Sequence, residues 1–371
     1  MKSVLIVVDN LNAGGIQRIA LDQMYCLTEL GVDCVVVSLT PPNVKRSLMT
    51  DVDGDFFLRY SSKVVFTSSN WRKQIRFLLQ LCRKNHFNIA LCHSPRANLI
   101  MRCIRISTLT KLKVVGFIHQ VPTFSSKMQN LKRGIYFRFS DYVWASSNQF
   151  KLEIDRLRQE STFFRIIFRG DIKFDRPGIF LNRIDEVTLS TKQKRLEKLS
   201  LVFYGRAVNW KGFETFLMIA SKVLNRYSPV VITSKEYESG AEILGQHVRE
   251  KLTVYVSKSI ASIKWTNRAV HLYPTNYGEL NKRPMSVSLN VLECIALGIP
   301  SLISQEGFES WPELKDSILC KVTMWDLQEI ERVLLELEAY PRATFNAEAK
   351  KLRVVISIEA QCKRVIDLMG V

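Results

Sequence analysis

Ser288-Leu-Asn-Val-Leu-Glu-Cys-Ile-Ala-Leu-Gly-Ile-Pro-Ser-Leu-Ile-Ser304 is the stretch whose reading decides the fold. Leu289, Leu292, Cys294, Ile295 and Ala296 give a short helix an apolar side. Gly298-Ile-Pro300 breaks it, and Ser301–Ile303 follows as a buried strand. A helix running into an apolar strand is the repeating unit of a parallel sheet covered on both faces. Glu293 alone does not fit this packing. A carboxylate on an apolar helix is costly unless something polar meets it. No obvious partner stands nearby in sequence, which makes a ligand hydroxyl a reasonable candidate.

The same alternation runs through the rest of the chain. Val4–Val8, Cys34–Ser38, Val64–Thr67, Ile89–Cys92, Val114–Ile118 and Tyr142–Ala145 read as strands, with helices over Ile16–Leu30, Trp71–Lys84, Asn98–Ile106 and Ser126–Phe139. A second series has strands at Leu201–Tyr204, Val230–Thr233, Val254–Val256, Ala269–Tyr273 and Ser301–Ile303, with helices over Phe213–Asn225, Ala241–Lys251 and Leu289–Leu297. Long helices over Leu327–Ala339 and Ala347–Leu368 end the chain. Phe168 to Pro177, with Gly170 and Pro177, reads as the join. The expected fold is therefore α/β, with two Rossmann-like domains facing a central cleft. Their bounds are 1–168 and 169–345, with 346–371 as a C-terminal helix packing back on the first. Ligands of such sheets sit at the carboxyl ends of the strands.

The length of 371 residues suits two or three domains, and 47% hydrophobic content can fill their cores. No apolar run approaches the ~20 residues that span a bilayer. Val4–Val8 runs straight into Asp9 and lacks the longer apolar region of a secretory signal. The eight cysteines are scattered without a C-x-x-C pair and read as reduced core residues of a cytosolic protein. The net charge of +18 is uneven, since Phe56 to Ser140 contains no Asp or Glu. A face this one-sided predicts attraction to a polyanion, anionic lipid above all. Trp71, Phe77, Leu78 and Leu81 stand ready to insert beside Arg72, Lys73, Arg76 and Arg83. No recognised nucleic-acid motif accompanies the charge, so no nucleic-acid partner is expected.

Four groups carry candidate chemistry. Gly14 and Gly15, before the first helix, let backbone approach a ligand at a helix start. His119 ends the strand Val114–Ile118 and could hydrogen-bond a sugar or orient an acceptor, and His93 ends the preceding strand in the same way and competes with it. Arg206 and Lys211 lie in Gly205-Arg-Ala-Val-Asn-Trp-Lys-Gly212, between a strand and a helix. Two cations at a helix N-terminus suit a diphosphate. With Glu293 they suggest a nucleotide-diphosphate-sugar pocket. Asp51-Val-Asp-Gly-Asp55 fails as an EF-hand, because Ser62 stands where the bidentate Glu belongs. It reads as an acidic surface turn, and no metal site is expected.

These residues together resemble the two-domain GT-B glycosyltransferases, in particular glycosyltransferase family 4, over nearly the whole length. Gly14-Gly15-Ile-Gln-Arg18 is similar to the family's glycine loop, and His119 matches its active-site histidine. Arg169-Gly-Asp171 is similar to the Asn-Gly-Val-Asp that opens its second domain. Gly205-Arg206 with Lys211-Gly212 looks like its diphosphate-binding pair. Leu292-Glu293-Cys-Ile-Ala-Leu-Gly-Ile-Pro300 and Pro312-Glu313-Leu314 are close to two further family motifs. The resemblance implies retaining, metal-independent transfer of a sugar from a UDP- or GDP-sugar, which is a substrate, with no cofactor. It implies that Glu293 holds the donor ribose, that Arg206 and Lys211 bind the diphosphate near Gly14 and Gly15, and that His119 contacts the sugar. A second family Glu, eight positions before Glu293, is replaced by Met285, and Glu279 is the candidate to supply that carboxylate. The expected acceptor is a lipid-linked or lipopolysaccharide-type glycan at the cytoplasmic membrane face. A sugar-nucleotide epimerase of similar fold and a catalytically silent binding module are the alternatives.

Overall fold

The computed structural model describes residues 2–12, 14–41, 59–108, 111–119, 140–146, 148–160, 162, 165, 172–176, 178–190, 199–208, 211–233, 250–256, 259–263, 265, 269–275, 288–305 and 311–370. They form two compact units. One holds the described residues up to Phe180 and those from Ile358 onward, and the other holds those from Leu181 to Ser357.

The first unit is built on a seven-stranded sheet of order β3-β2-β1-β4-β5-β6-β7. Its strands are β1 Ser3–Val8, β2 Asp33–Ser38, β3 Val64–Phe66, β4 Ile89–Cys92, β5 Lys113–Ile118, β6 Tyr142–Ala145 and β7 Ile172–Phe174. Every pairing is parallel. All six residues of β1 are buried, as a central strand covered on both faces requires. The helix Trp71–Asn85 shows how sequence sets an element here. The Asn70 carboxamide oxygen caps it by accepting from the Arg72 and Lys73 amides at 3.0 and 3.4 Å. His86 closes it in the left-handed region, at φ 46°. Leu78 and Cys82 face the core with Leu5, Val37 and Met101, and Phe77 and Leu81 pack against them. The apolar side expected to insert into a membrane is thus spent on the core, and Trp71, 59% exposed, is the member left at the surface.

The second unit carries a six-stranded parallel sheet of order β10-β9-β8-β11-β12-β13. Its strands are β8 Ser200–Tyr204, β9 Ser228–Thr233, β10 Thr253–Val256, β11 Ala269–Tyr273, β12 Ser301–Ile303 and β13 Cys320–Val322. Both sheets grow outward in two directions from their first strand. The order therefore reverses between β1 and β4, and again between β8 and β11. Such a reversal leaves a crevice at the carboxyl ends of the two strands.

Two boundaries differ from expectation. β7 extends the first sheet, so that sheet runs past the break-rich stretch and the joint lies at Phe180 rather than Phe168. The terminal helix is two helices, Arg342–Ile356 in the second unit and Glu359–Leu368 in the first. Ser357 between them is extended, at ψ 140°, where helical hydrogen bonding cannot continue. The Glu359–Leu368 helix packs on Gly15–Glu29. No helix among the described residues is long and apolar enough to cross a membrane.

Candidate functional site

In the second unit, β8 ends at Tyr204 and the chain turns through Gly205 into the loop carrying Arg206 and Lys211. The Gly205 amide donates to the Ile232 carbonyl at 2.9 Å, and the Lys211 amide donates to the Val208 carbonyl at 3.0 Å. The helix Phe213–Val223 then starts behind Gly212. Gly212 adopts φ +74°, and a Cβ there would lie 1.8 Å from the Pro274 carbonyl oxygen. Only glycine lets this loop close on the end of β11. Tyr273 ends that strand. The Lys211 ammonium donates to its hydroxyl at 2.5 Å and lies 5.0 Å from its ring centroid. Burial, the largest single influence, would raise the Tyr273 phenol, but the Lys211 charge together with hydrogen bonds from Lys211, Thr275 and Ser288 outweighs it and holds the phenol below its usual range. Lys211 is therefore held at the sheet reversal, tied to the end of the neighbouring strand β11, while Arg206 on the same loop is solvent-exposed.

The helix Leu289–Ala296 borders the same loop. The Asn290 carboxamide donates to the Tyr204 carbonyl at 2.7 Å. Glu293, 2% exposed, accepts from Arg183 Nη2 at 2.7 Å on Oε1 and from the Tyr204 hydroxyl at 2.6 Å on Oε2. The expectation that Glu293 lacks a protein partner is corrected by this geometry. Its partners lie 110 and 89 residues away in sequence, beyond the reach of local reading. Arg183 sits on the helix Leu181–Ser190, is fully buried, and has no signature in the sequence.

In the first unit, the ends of β1, β4 and β5 meet. Gly14 is extended at φ −179° and Gly15 opens the first helix with open space where a Cβ would stand. Neither backbone conformation demands glycine, so the space beside Gly15 is what the residue provides. Asp9, after β1, accepts from the Ser94 hydroxyl at 2.7 Å. His93 follows β4 and His119 follows β5. They are hydrogen-bonded to each other, Nδ1 of His93 to Nε2 of His119, at 3.0 Å. His93 also stacks on Phe117, with ring centroids 4.5 Å apart and planes 5° apart. Desolvation pushes His119 down to about 4 and His93 well below its usual value, the neighbouring His119 adding to the latter. Both rings are neutral near pH 7. His93 is therefore a partner of His119 rather than its competitor.

Arg206, Lys211 and Glu293 are brought to one end of the second sheet, and Gly14, Gly15 and His119 to one end of the first. Glu279 and Met285 lie outside the described residues, as do Asp51–Asp55 and Arg169–Asp171. Tyr273, Tyr204, Arg183 and Gln23 were not singled out from sequence. Tyr273 could have been, because it closes a strand whose carboxyl end borders the reversal. Among the described residues no group of three or more His, Cys, Asp or Glu could hold a metal ion.

On the basic span, Arg102 is buried, and burial pushes its guanidinium down to about 10. Arg105 pairs with Asp141, Lys63 with Asp33, and Lys113 donates to the Leu368 carbonyl. Arg72, Lys73, Arg76, Arg83 and Lys84 remain exposed on the Trp71–Asn85 helix.

No family model matches the sequence, and no curated protein matches it. Solved structures do match along the whole chain. HepE of Anabaena in complex with UDP is 12% identical, with 99% of this chain and 100% of that chain covered and a TM-score of 0.68. A glycosyltransferase from Rickettsia africae is 12% identical over 99% and 97%, with a TM-score of 0.69. An alpha-glucosyltransferase in complex with UDP-glucose and DNA containing an abasic site is 15% identical over 100% of both chains, with a TM-score of 0.66. The chain is similar to these proteins in fold: α/β, with two Rossmann-like units of the GT-B kind.

Proposed function

We propose that the chain is a glycosyltransferase that takes a sugar from a nucleotide-diphosphate donor, a UDP- or GDP-sugar. The observation that carries this reading is the loop after β8. It places Arg206 and Lys211 at a sheet reversal, with Lys211 held by Tyr273 and a helix start behind it. Breaking a glycosidic bond to a nucleotide diphosphate puts negative charge on the departing phosphate. Lys211, fixed beforehand by Tyr273, stabilises that charge without reorganising, and Arg206 supplies a second cation on the same loop. The fold shared with HepE in complex with UDP supports the donor class.

In the finer reading, transfer retains the anomeric configuration, proceeds without a metal, and delivers the sugar to a lipid-linked or lipopolysaccharide-type acceptor. The enzyme works at the cytoplasmic membrane face. The exposed cations of the Trp71–Asn85 helix, with Trp71 beside them, support an anionic surface as partner. Glu293 contributes to donor binding by fixing Tyr204, Asn290's acceptor, at the loop, and Glu279 is the proposed second carboxylate. The fold-mate bound to DNA supports a second reading, in which the polyanion is a nucleic acid carrying the acceptor. The test is transfer from radiolabelled UDP- and GDP-sugars to membrane-lipid extract and, separately, to duplex DNA. Labelled lipid supports the first reading, labelled DNA the second, and no donor consumption with any sugar overturns both.

A further inference from the structure

We propose that a directional hydrogen-bond chain fixes the proton of His119 on Nε2, leaving Nδ1 as an acceptor for a substrate hydroxyl, with His93 as the positioning residue that enforces this. The tautomer stands on geometry alone; only the identity of the hydroxyl, a donor-sugar one, rests on the glycosyltransferase reading.

The chain starts at the main-chain carbonyl of Arg176, which can only accept. Gln361 Nε2 donates to it at 3.4 Å, and the same side chain hydrogen-bonds the Asp175 carboxyl. The other end of that amide, Oε1, accepts from Gln23 Nε2 at 2.7 Å. Gln23 Oε1 therefore faces His93 and accepts from its Nε2–H at 2.8 Å. Gln23 and Gln361 are both buried, at 0% and 2% exposure, so water offers neither an alternative partner. With its single proton on Nε2, neutral His93 presents a lone pair at Nδ1. His119 must then donate from Nε2 across the 3.0 Å contact. The two imidazole planes differ by 13° and their centroids lie 5.2 Å apart, so with the nitrogens 3.0 Å apart the rings meet edge to edge and the N–H points along the lone pair. Reversing any one bond would set two donors or two acceptors face to face further along. His119 Nδ1 has no hydrogen-bond partner among the described residues, and its ring is half-buried at the end of β5. The ring is thus set to receive a hydroxyl proton donor and not to give a proton.

The experiment uses the whole chain with ¹⁵N-labelled histidine. There are five histidines, so single substitutions assign each resonance. In long-range ¹H–¹⁵N spectra of the ligand-free protein the proton is expected on His119 Nε2, with a through-hydrogen-bond coupling to His93 Nδ1. A proton on His93 Nδ1 overturns the proposal. His93→Phe keeps the stacking on Phe117 and removes the acceptor. In that variant the coupling should vanish and the His119 proton should no longer be confined to Nε2, with the Nδ1–H tautomer becoming populated. A His119 signature unchanged in His93→Phe overturns the positioning role. Gln23→Glu places a carboxylate on His93 Nε2, favours the His93 cation, and should drive the His119 proton to Nδ1. With UDP-glucose as donor, His93→Phe should lower kcat about tenfold, the worth of one hydrogen bond. If the wild type consumes no nucleotide sugar, the glycosyltransferase reading falls while the spectra still decide the proton.

Discussion

Arg183 and Glu293 meet at 2.7 Å with neither side chain open to solvent. The pair ties the helix Leu181–Ser190, where the second unit begins, to the helix that borders the Arg206 loop. A buried pair of this kind contributes through what its loss exposes, since removing one partner strands a charge in the interior. Tyr204 on the other carboxylate oxygen makes the arrangement a triad.

Arg183→Met is expected to destabilise the protein by about 3–5 kcal/mol, and adding Glu293→Leu to recover most of that loss. Urea unfolding of the second unit, followed by its tryptophans, measures both. Glu293→Gln should lower stability and weaken nucleotide-sugar binding together, because the Tyr204 contact anchors the loop. Equal midpoints for wild type and Arg183→Met would show that the pair contributes nothing.

Lys211→Ala and Arg206→Ala are each expected to lower kcat for sugar transfer by at least ~10²-fold, with Mg²⁺ or Mn²⁺ unable to restore it. Tyr273→Phe keeps the cation and removes its tether, so the loss should be closer to tenfold. Steady-state kinetics in the presence of EDTA separate these outcomes. Near-normal kcat in both alanine variants, or wild-type activity abolished by EDTA, would contradict a metal-independent mechanism.

Acid should destabilise the fold in a defined window. His119 is pushed down to about 4 and His271 to about 3, both by burial. Their folded values lie below the ordinary 6.5, so the unfolded chain binds protons first as pH falls. The stability they contribute is present above about pH 6.5 and is lost toward pH 4 and below. Asp175 acts in the opposite sense. Burial, outweighing Arg364, raises it to about 6, so its contribution is complete below the ordinary carboxylate range and fades as pH rises through 6. Asp175→Asn should therefore make the acid loss steeper, and His271→Leu should make it shallower. Denaturation midpoints from pH ~7.5 to ~4.5 test this, and superimposable profiles would refute it.

Changing Arg72, Lys73 and Arg76 to Glu should release the protein from phosphatidylglycerol vesicles at physiological salt, since each surface cation contributes about 1 kcal/mol. Trp71 fluorescence should shift to the blue on binding in the wild type, because that ring is at the surface. A folded triple variant that sediments with vesicles like the wild type would remove this helix from the membrane reading.

The sequence disclosed elements in proportion to how much local signal each carried. Strands such as Val4–Val8 and Leu201–Tyr204 are unbroken apolar runs, because parallel strands buried on both faces need them. Ile172–Phe174 and Cys320–Val322 were missed, each being three residues with a lysine at its centre. The break at Ser357 was hidden because no Gly or Pro marks it anywhere between Arg342 and Met369. For the candidate site, what was legible is that Arg206, Lys211 and His119 stand at the carboxyl ends of strands, because each follows an apolar run. Arg183, Gln23 and Gln361 were not, because what matters in them is a partner brought close only by the fold.

The helix Glu359–Leu368 gives the first unit Gln361, Cys362 and Val365 as buried residues, although the second unit precedes it in the chain. During synthesis this inverts the order of completion. The stretch from Leu181 to Ser357 has all of its own core once Ser357 has emerged, while the half made first still waits for its closing helix. A nascent chain arrested after Ser357 should thus resist protease across Leu181–Ser357 and be cut within Ser3–Phe180, and the first half should become resistant only when the final helix clears the ribosome.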